Sequence, residues 1–178
     1  MAPVSDPRPL VGEPLALDLL NTEKVAGGIP VDLFDEPDGV ERWLAVTGID
    51  SAGGHAVRHA LIESRAAIRG VVSGNAPDRL RFDRVLAHGR VRVGMGEDGT
   101  IGRTVESSSP EWFPALEAAM NLVELLETAP DRIRSCAHPN CVLWFLDTTR
   151  NGTRRWCSMA GCGNRAKAQR HYERTKST

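Results

Sequence analysis

Over most of the first 130 residues, apolar side chains recur at intervals of three and four, and that period predicts a helical body. Leu15, Leu17, Leu19 and Leu20 surround Asp18 and lead into Asn21 and Thr22, a spacing that fits a short helix better than a strand. Asp38 before Val40, Trp43, Leu44 and Val46 predicts a capped amphipathic helix ending near Gly48. Ser51 is placed to cap the next helix, where Val57, Ala60, Leu61, Ser64, Ala67, Ile68 and Val71 recur at intervals of three and four and Arg58, Arg65 and Arg69 fall elsewhere on the helix surface. Gly74 ends that helix, and Pro77 opens another that carries Leu80, Phe82, Val85 and Leu86 and closes near His88-Gly89.

The period then changes. Arg90 to Val93 alternates polar and apolar, Asp98-Gly99 offers a tight turn, and Ile101, Arg103 and Val105 continue the alternation, so a β-hairpin is expected near residues 90–106. Gly94, Gly96 and Gly99 spell G-x-G-x-x-G, but the motif leads into a second strand and not a helix, which argues against dinucleotide binding. Phe113, Leu116, Ala119, Met120, Val123 and Leu126 predict a long amphipathic helix stopped by Pro130. The expected architecture is mainly α with one β-hairpin (α+β): a helical N-terminal domain over residues 1–130 and a small C-terminal domain over 131–178, divided between Thr128 and Asp131.

No run approaches the roughly 18 apolar residues of a membrane span, and Met1 to Pro9 hold three prolines and no apolar segment of the kind export requires. The expected setting is therefore a reducing cytoplasm, with no membrane partner. There four cysteines read as metal ligands sooner than as disulfides. Charge separates the two parts further: residues 131–178 hold ten lysines and arginines against three acids, a net +7, while the rest of the chain is at −8. A basic end on an acidic body suits contact with a polyanion, or else is a solvated tail.

The only cysteines, Cys136, Cys141, Cys157 and Cys162, are spaced C-x4-C, fifteen residues, C-x4-C. Two ligand pairs joined by such a loop match one tetrahedral structural zinc, and four thiolates leave no open position for catalysis. His138 lies inside the first spacer and reads as a turn residue. Leu143, Trp144, Phe145 and Leu146 form a strand-like core, and Asn151-Gly152 a turn. Four thiolates around a divalent cation carry a formal −2, which Arg154, Arg155 and Arg165 are placed to offset. Beyond Cys162 a helix is expected with Lys167, Arg170, His171 and Arg174 on one cationic stripe, followed by Lys176. Candidate nucleic-acid contacts are thus Arg154, Arg155, Arg165, Lys167, Arg170, Arg174 and Lys176, of which the last four are free of the zinc argument.

The segment Trp156 to Lys167, with Cys141, Phe145-Leu146-Asp147 and Arg150-Asn151 before it, resembles the CGNR zinc finger, and Leu17 to Thr22 resembles the opening motif of the helical ABATE domain that precedes this finger in bacterial proteins. The resemblance implies a treble-clef-like finger with one Zn2+ on the four cysteines, and a stress-linked transcription regulator that binds DNA through the finger. The N-terminal domain would then sense a ligand, with Asp18, Asn21 and Thr22 as a candidate pocket, or form a homodimer. A zinc-stapled protein interaction module is the alternative. An enzyme using that pocket with His55, His59 or His88 is a third reading, but no nucleophile triad, phosphate loop or zinc-protease motif accompanies it, and the chain is read as non-enzymatic.

Overall fold

The computed structural model describes residues 6–176, with the side chain of His171 outside the described set; Met1 to Ser5, part of the segment read above for export, also lie outside it. Among the described residues six α-helices and three two-stranded antiparallel ribbons follow in the order α1 (Leu15–Leu20), β1 (Glu23–Ala26), β2 (Ile29–Asp32), α2 (Gly39–Thr47), α3 (His55–Val72), α4 (Asp78–Leu86), β3 (Gly89–Met95), β4 (Ile101–Ser107), α5 (Phe113–Thr128), β5 (Ile133–Ser135), β6 (Trp144–Leu146) and α6 (Asn164–Lys176). No described helix is long and apolar enough to cross a membrane.

α3 and α5 form the centre of the helical body, with α1 against both and α4 closing the far side. The apolar stripe read from the sequence is the one buried: Val57, Ala60, Leu61, Ala67 and Ile68 of α3 meet Ala115, Ala118, Ala119 and Leu122 of α5 in one core. α2 ends at Gly48, whose φ of 74° lies in the left-handed region that a side chain resists. Trp43 of α2 is fully buried, edge-on to Phe34.

Three expectations are corrected. Ser51 caps nothing; α3 begins at His55 with Gly54 at its N-cap. Arg65, off the apolar stripe of α3, is not a solvated cation but is buried, held by Asp32 and by the Thr22 hydroxyl at 2.6 Å. The β1–β2 hairpin was not anticipated; its turn, Gly27-Gly28, has both φ positive, at 59° and 86°, the two-residue geometry that glycine pairs favour. Pro30 and three charged residues in four-residue strands hid it from an alternation test.

Candidate metal centre and the seam beside it

β5 and β6 pair from Ile133 opposite Leu146 to Ser135 opposite Trp144, and the turn between them carries the first two cysteines. Cys136 donates its N–H to the Leu143 carbonyl at 2.9 Å, and Cys141 to the His138 carbonyl at 3.0 Å, so a closed knuckle presents both sulfurs inward. His138 does serve the turn: its Nδ1 accepts the Asn140 N–H at 3.2 Å, and it is not one of the clustered ligands. The second pair comes from the end of an extended segment and from the π-turn Met159–Gly163 that starts α6. Ser158 folds that turn, its hydroxyl accepting the Gly161 N–H at 3.0 Å and its carbonyl the Gly163 N–H at 3.0 Å. A Cβ at Gly163 would come within 2.8 Å of the Met159 sulfur, so a larger residue there would displace that exposed side chain.

The four sulfurs all lie within 4.8 Å of one another, with Cys141 to Cys157 at 3.9 Å and Cys157 to Cys162 at 3.5 Å. A tetrahedron of thiolates at the usual zinc–sulfur length has edges of about 3.8 Å, so the set fits one zinc ion and is closed. Left to themselves four adjacent thiols cannot ionise together. Cys141 is held down at about 5, chiefly by the hydrogen bond from Cys157, whereas that bond and burial push Cys157 up and burial pushes Cys136 up. A divalent cation resolves this conflict by facing every thiolate with positive charge. The neighbours suit that state: the Cys157 N–H points at the Cys136 sulfur at 3.4 Å, and Arg165 donates to the Cys162 sulfur at 3.0 Å. Cys136, Cys141, Cys157 and Cys162 would thus hold the metal, whose contribution is cohesion and not reactivity.

Arg154 has a different task from the one read for it. Its guanidinium donates to the Trp156 carbonyl at 3.1 Å and the Cys157 carbonyl at 2.5 Å, lies 4.1 Å over the Phe145 ring, and reaches Glu13 at 3.4 Å. It is a partly exposed strut, most of whose donors are engaged within the chain. Arg155 stacks toward Trp156 at 5.3 Å and is exposed enough to meet a partner. Buried Asp147 receives the Thr149 hydroxyl at 2.5 Å and the backbone N–H groups of Thr149 and Arg154 at 2.9 and 2.8 Å, and these hold its carboxyl below the usual range, the Thr149 hydroxyl foremost.

Asp18, Asn21 and Thr22, read as a candidate ligand pocket, are all buried and turned to protein partners. Asp18 takes Arg8 at 2.5 Å and the Trp43 indole N–H at 2.9 Å; Thr22 donates to the Leu19 carbonyl at 2.7 Å and accepts Arg65. Asn21 reaches 123 residues along the chain: its amide donates to the Trp144 carbonyl and accepts the Trp144 N–H, both at 2.9 Å. Glu13 adds a bond to the Leu146 N–H at 2.9 Å, and Ile133, Trp144 and Leu146 pack on the helical core. Asn21 therefore makes a seam to the zinc lobe, while Asp18 and Thr22 are tied to partners within the helical body. The motif's residues are visible in the sequence, but the partners are not; Glu13, which completes the seam, and Arg8 and Arg65, which hold Asp18 and Thr22 within the body, give no local signal. His55 and His59 are exposed, and His88 is stacked flat on Trp112 at 3.5 Å, away from any such site.

A helical domain joined by polar contacts to a four-cysteine finger defines a two-part zinc-finger protein. The chain belongs to the ABATE family, described as "putative stress-induced transcription regulator", whose profile matches residues 13–129; the CGNR zinc finger matches residues 132–175. No curated protein matches the chain.

Proposed function

We propose that the protein is a non-enzymatic, cytoplasmic transcription regulator whose zinc lobe carries α6 onto the phosphate backbone of duplex DNA. The observation that carries this reading is α6 itself. None of its described side chains is buried, and it holds Arg165, Lys167, Arg170, Arg174 and Lys176 against the single acid Glu173. A helix that is polar all round and packed only at its first turn has little fold-internal reason to persist. Five cations make it an electrostatic footprint for a polyanion. Arg165 is shared with the zinc site, so the reading rests on Lys167, Arg170, Arg174 and Lys176, with Arg155 at the flank.

Binding of a duplex should weaken with salt at a log-log slope of roughly −3 to −4 if three or four phosphates are neutralised. Arg170→Glu with Arg174→Glu should abolish binding in fluorescence anisotropy while one zinc per chain is retained. Arg154→Gln should leave the salt slope unchanged. A flat salt dependence sinks the reading.

One observation favours the second reading, an acidic protein partner for the same helix. Side chains suited to base edges are few, and Gln169 is engaged by Glu173 at 3.0 Å. A complex that survives nuclease treatment and is lost on the same arginine substitutions would select it.

A further inference from the structure

The β3–β4 hairpin leaves the body as an arm. Only its root is packed, where a Cβ at Gly89 would fall 2.1 Å from a Leu116 methyl group. From there the strands run in register, Val91 opposite Val105, Val93 opposite Arg103 and Met95 opposite Ile101. Alternation puts these six side chains on one face. That face is apolar and largely open: Val91 is 45% exposed, Val93 61%, Met95 75% and Ile101 72%. The other face is polar and satisfied within the chain, with Arg90 and Arg92 each 3.0 Å from Glu106.

A two-stranded ribbon is marginal in water, and one with four exposed large apolar side chains on a single face invites covering. Between that face and α5 runs a groove of about 800 Å³, whose ribbon wall is Val91, Val93, Arg103 and Val105 and whose other wall carries Met120 and Val123 with Glu117, Glu124 and Glu127. Groove and apolar tip therefore lie on the same side of the ribbon, the groove running from the root to the Val93–Arg103 pair and the tip lying just beyond it.

We propose that a second copy of the chain covers this face, the two hairpins stacking antiparallel about a two-fold axis so that each tip, Met95 with Ile101, enters the other's groove. Such a contact is isologous and closes at two copies, since each subunit offers both the insert and the receptor. Area supports a copy over a short peptide. The four exposed side chains present on the order of 400 Å² on each copy, and a stack of two ribbons covers both faces at once, a contact smaller than the roughly 800 Å² per partner of a standard interface and so one expected to come apart on dilution. Charge supports it too. Arg103 lines the groove together with Glu117, Glu124 and Glu127, so the two arginines brought near the axis would each face glutamates of both copies, while those walls repel nucleic acid and keep this surface separate from α6. The inference stands apart from the DNA reading, because no residue of α6 takes part.

The full-length, zinc-loaded protein should sediment at twice its 19.4 kDa mass at about 100 μM and dissociate on dilution. Met95→Glu with Ile101→Glu should raise the dissociation constant by at least about 100-fold, with zinc content and circular dichroism unchanged. Arg90→Gln, on the opposite face, should leave the mass as it was. Hydrogen exchange on the unaltered protein supplies the check that needs no variant: amides of residues 93–103 should lose protection on dilution. A monomer at about 100 μM, a dimer indifferent to the tip substitutions, or protection independent of concentration would each overturn the proposal. The last two results would assign any self-association to another surface, and a monomer whose tip is protected only by added cationic peptide would assign the groove to that partner.

Discussion

In the helical body, Leu61, Ile68, Leu116 and Leu122 are at most 1% exposed and are held by nothing but their neighbours. In the zinc lobe the buried cluster is Leu143, Phe145 and three of the four cysteines. The body is cohesive because apolar area is removed from water, and the period that achieves this is written along the chain. The lobe has too few apolar side chains for that route, as small folds commonly do, and depends on a metal site and on polar struts such as Arg154 and Asp147. The two regions should therefore fail under different insults.

The largest effect belongs to the metal. Cys157→Ser, or zinc removal by a strong chelator, should unfold residues 131–178 and leave the helical signal of the body, since structural zinc is worth roughly 10 kcal/mol or more to a small fold. Zinc stoichiometry and limited proteolysis test this, and proteolysis that spreads into α3 or α5 would break the division. Next, Leu122→Ala should cost the body about 2–5 kcal/mol in urea denaturation while one zinc per chain is retained.

Asn21→Ala addresses the join between the regions. It strips both hydrogen bonds from Trp144 and should cost about 2–4 kcal/mol, with the lobe and the body then melting apart when followed by a tryptophan signal and by helical circular dichroism. A loss below about 0.5 kcal/mol would mean that the seam is ornamental to stability.

The smallest effect is a pH dependence. The folded carboxyl of Asp147 lies below its unfolded value, so its contribution is fully present above about pH 4 and is lost as the pH falls through the folded value. The difference in melting temperature between the unaltered protein and Asp147→Asn should be greatest near neutrality and narrow on acidification; a gap that widens would contradict the assignment.

Much of this contrast was legible in advance. The stripes of α2 and α3, the β3–β4 hairpin and the cysteine spacing are local patterns, each contained in a window shorter than about 30 residues, whereas α5 buries Ala115, Ala118, Leu122 and Leu125 in place of Met120, Val123 and Leu126, and Leu80 of α4 is exposed. What escaped depends on distant partners. Arg65 looks like any other arginine on an amphipathic helix until Asp32 and Thr22 arrive from another element. Arg154 looks like one more cation of a basic tail until the Phe145 ring and the Cys157 carbonyl converge on it. Gly27-Gly28 was a local sign, yet strands of four residues with polar sides and a proline lack the alternation that would have supported it.

The Asn21 amide presents to β6 what the peptide of a neighbouring strand would present, one donor and one acceptor, both at 2.9 Å from Trp144. That substitution of a side chain for a strand has a consequence for heredity. A gene fusion that moved this finger to another scaffold would leave the edge of β6 bare, and a body given a foreign finger would bury an amide with no peptide to meet it. The two units are expected to descend as a pair, and a chimera that joins them across lineages should keep residues 21 and 144 from a single parent.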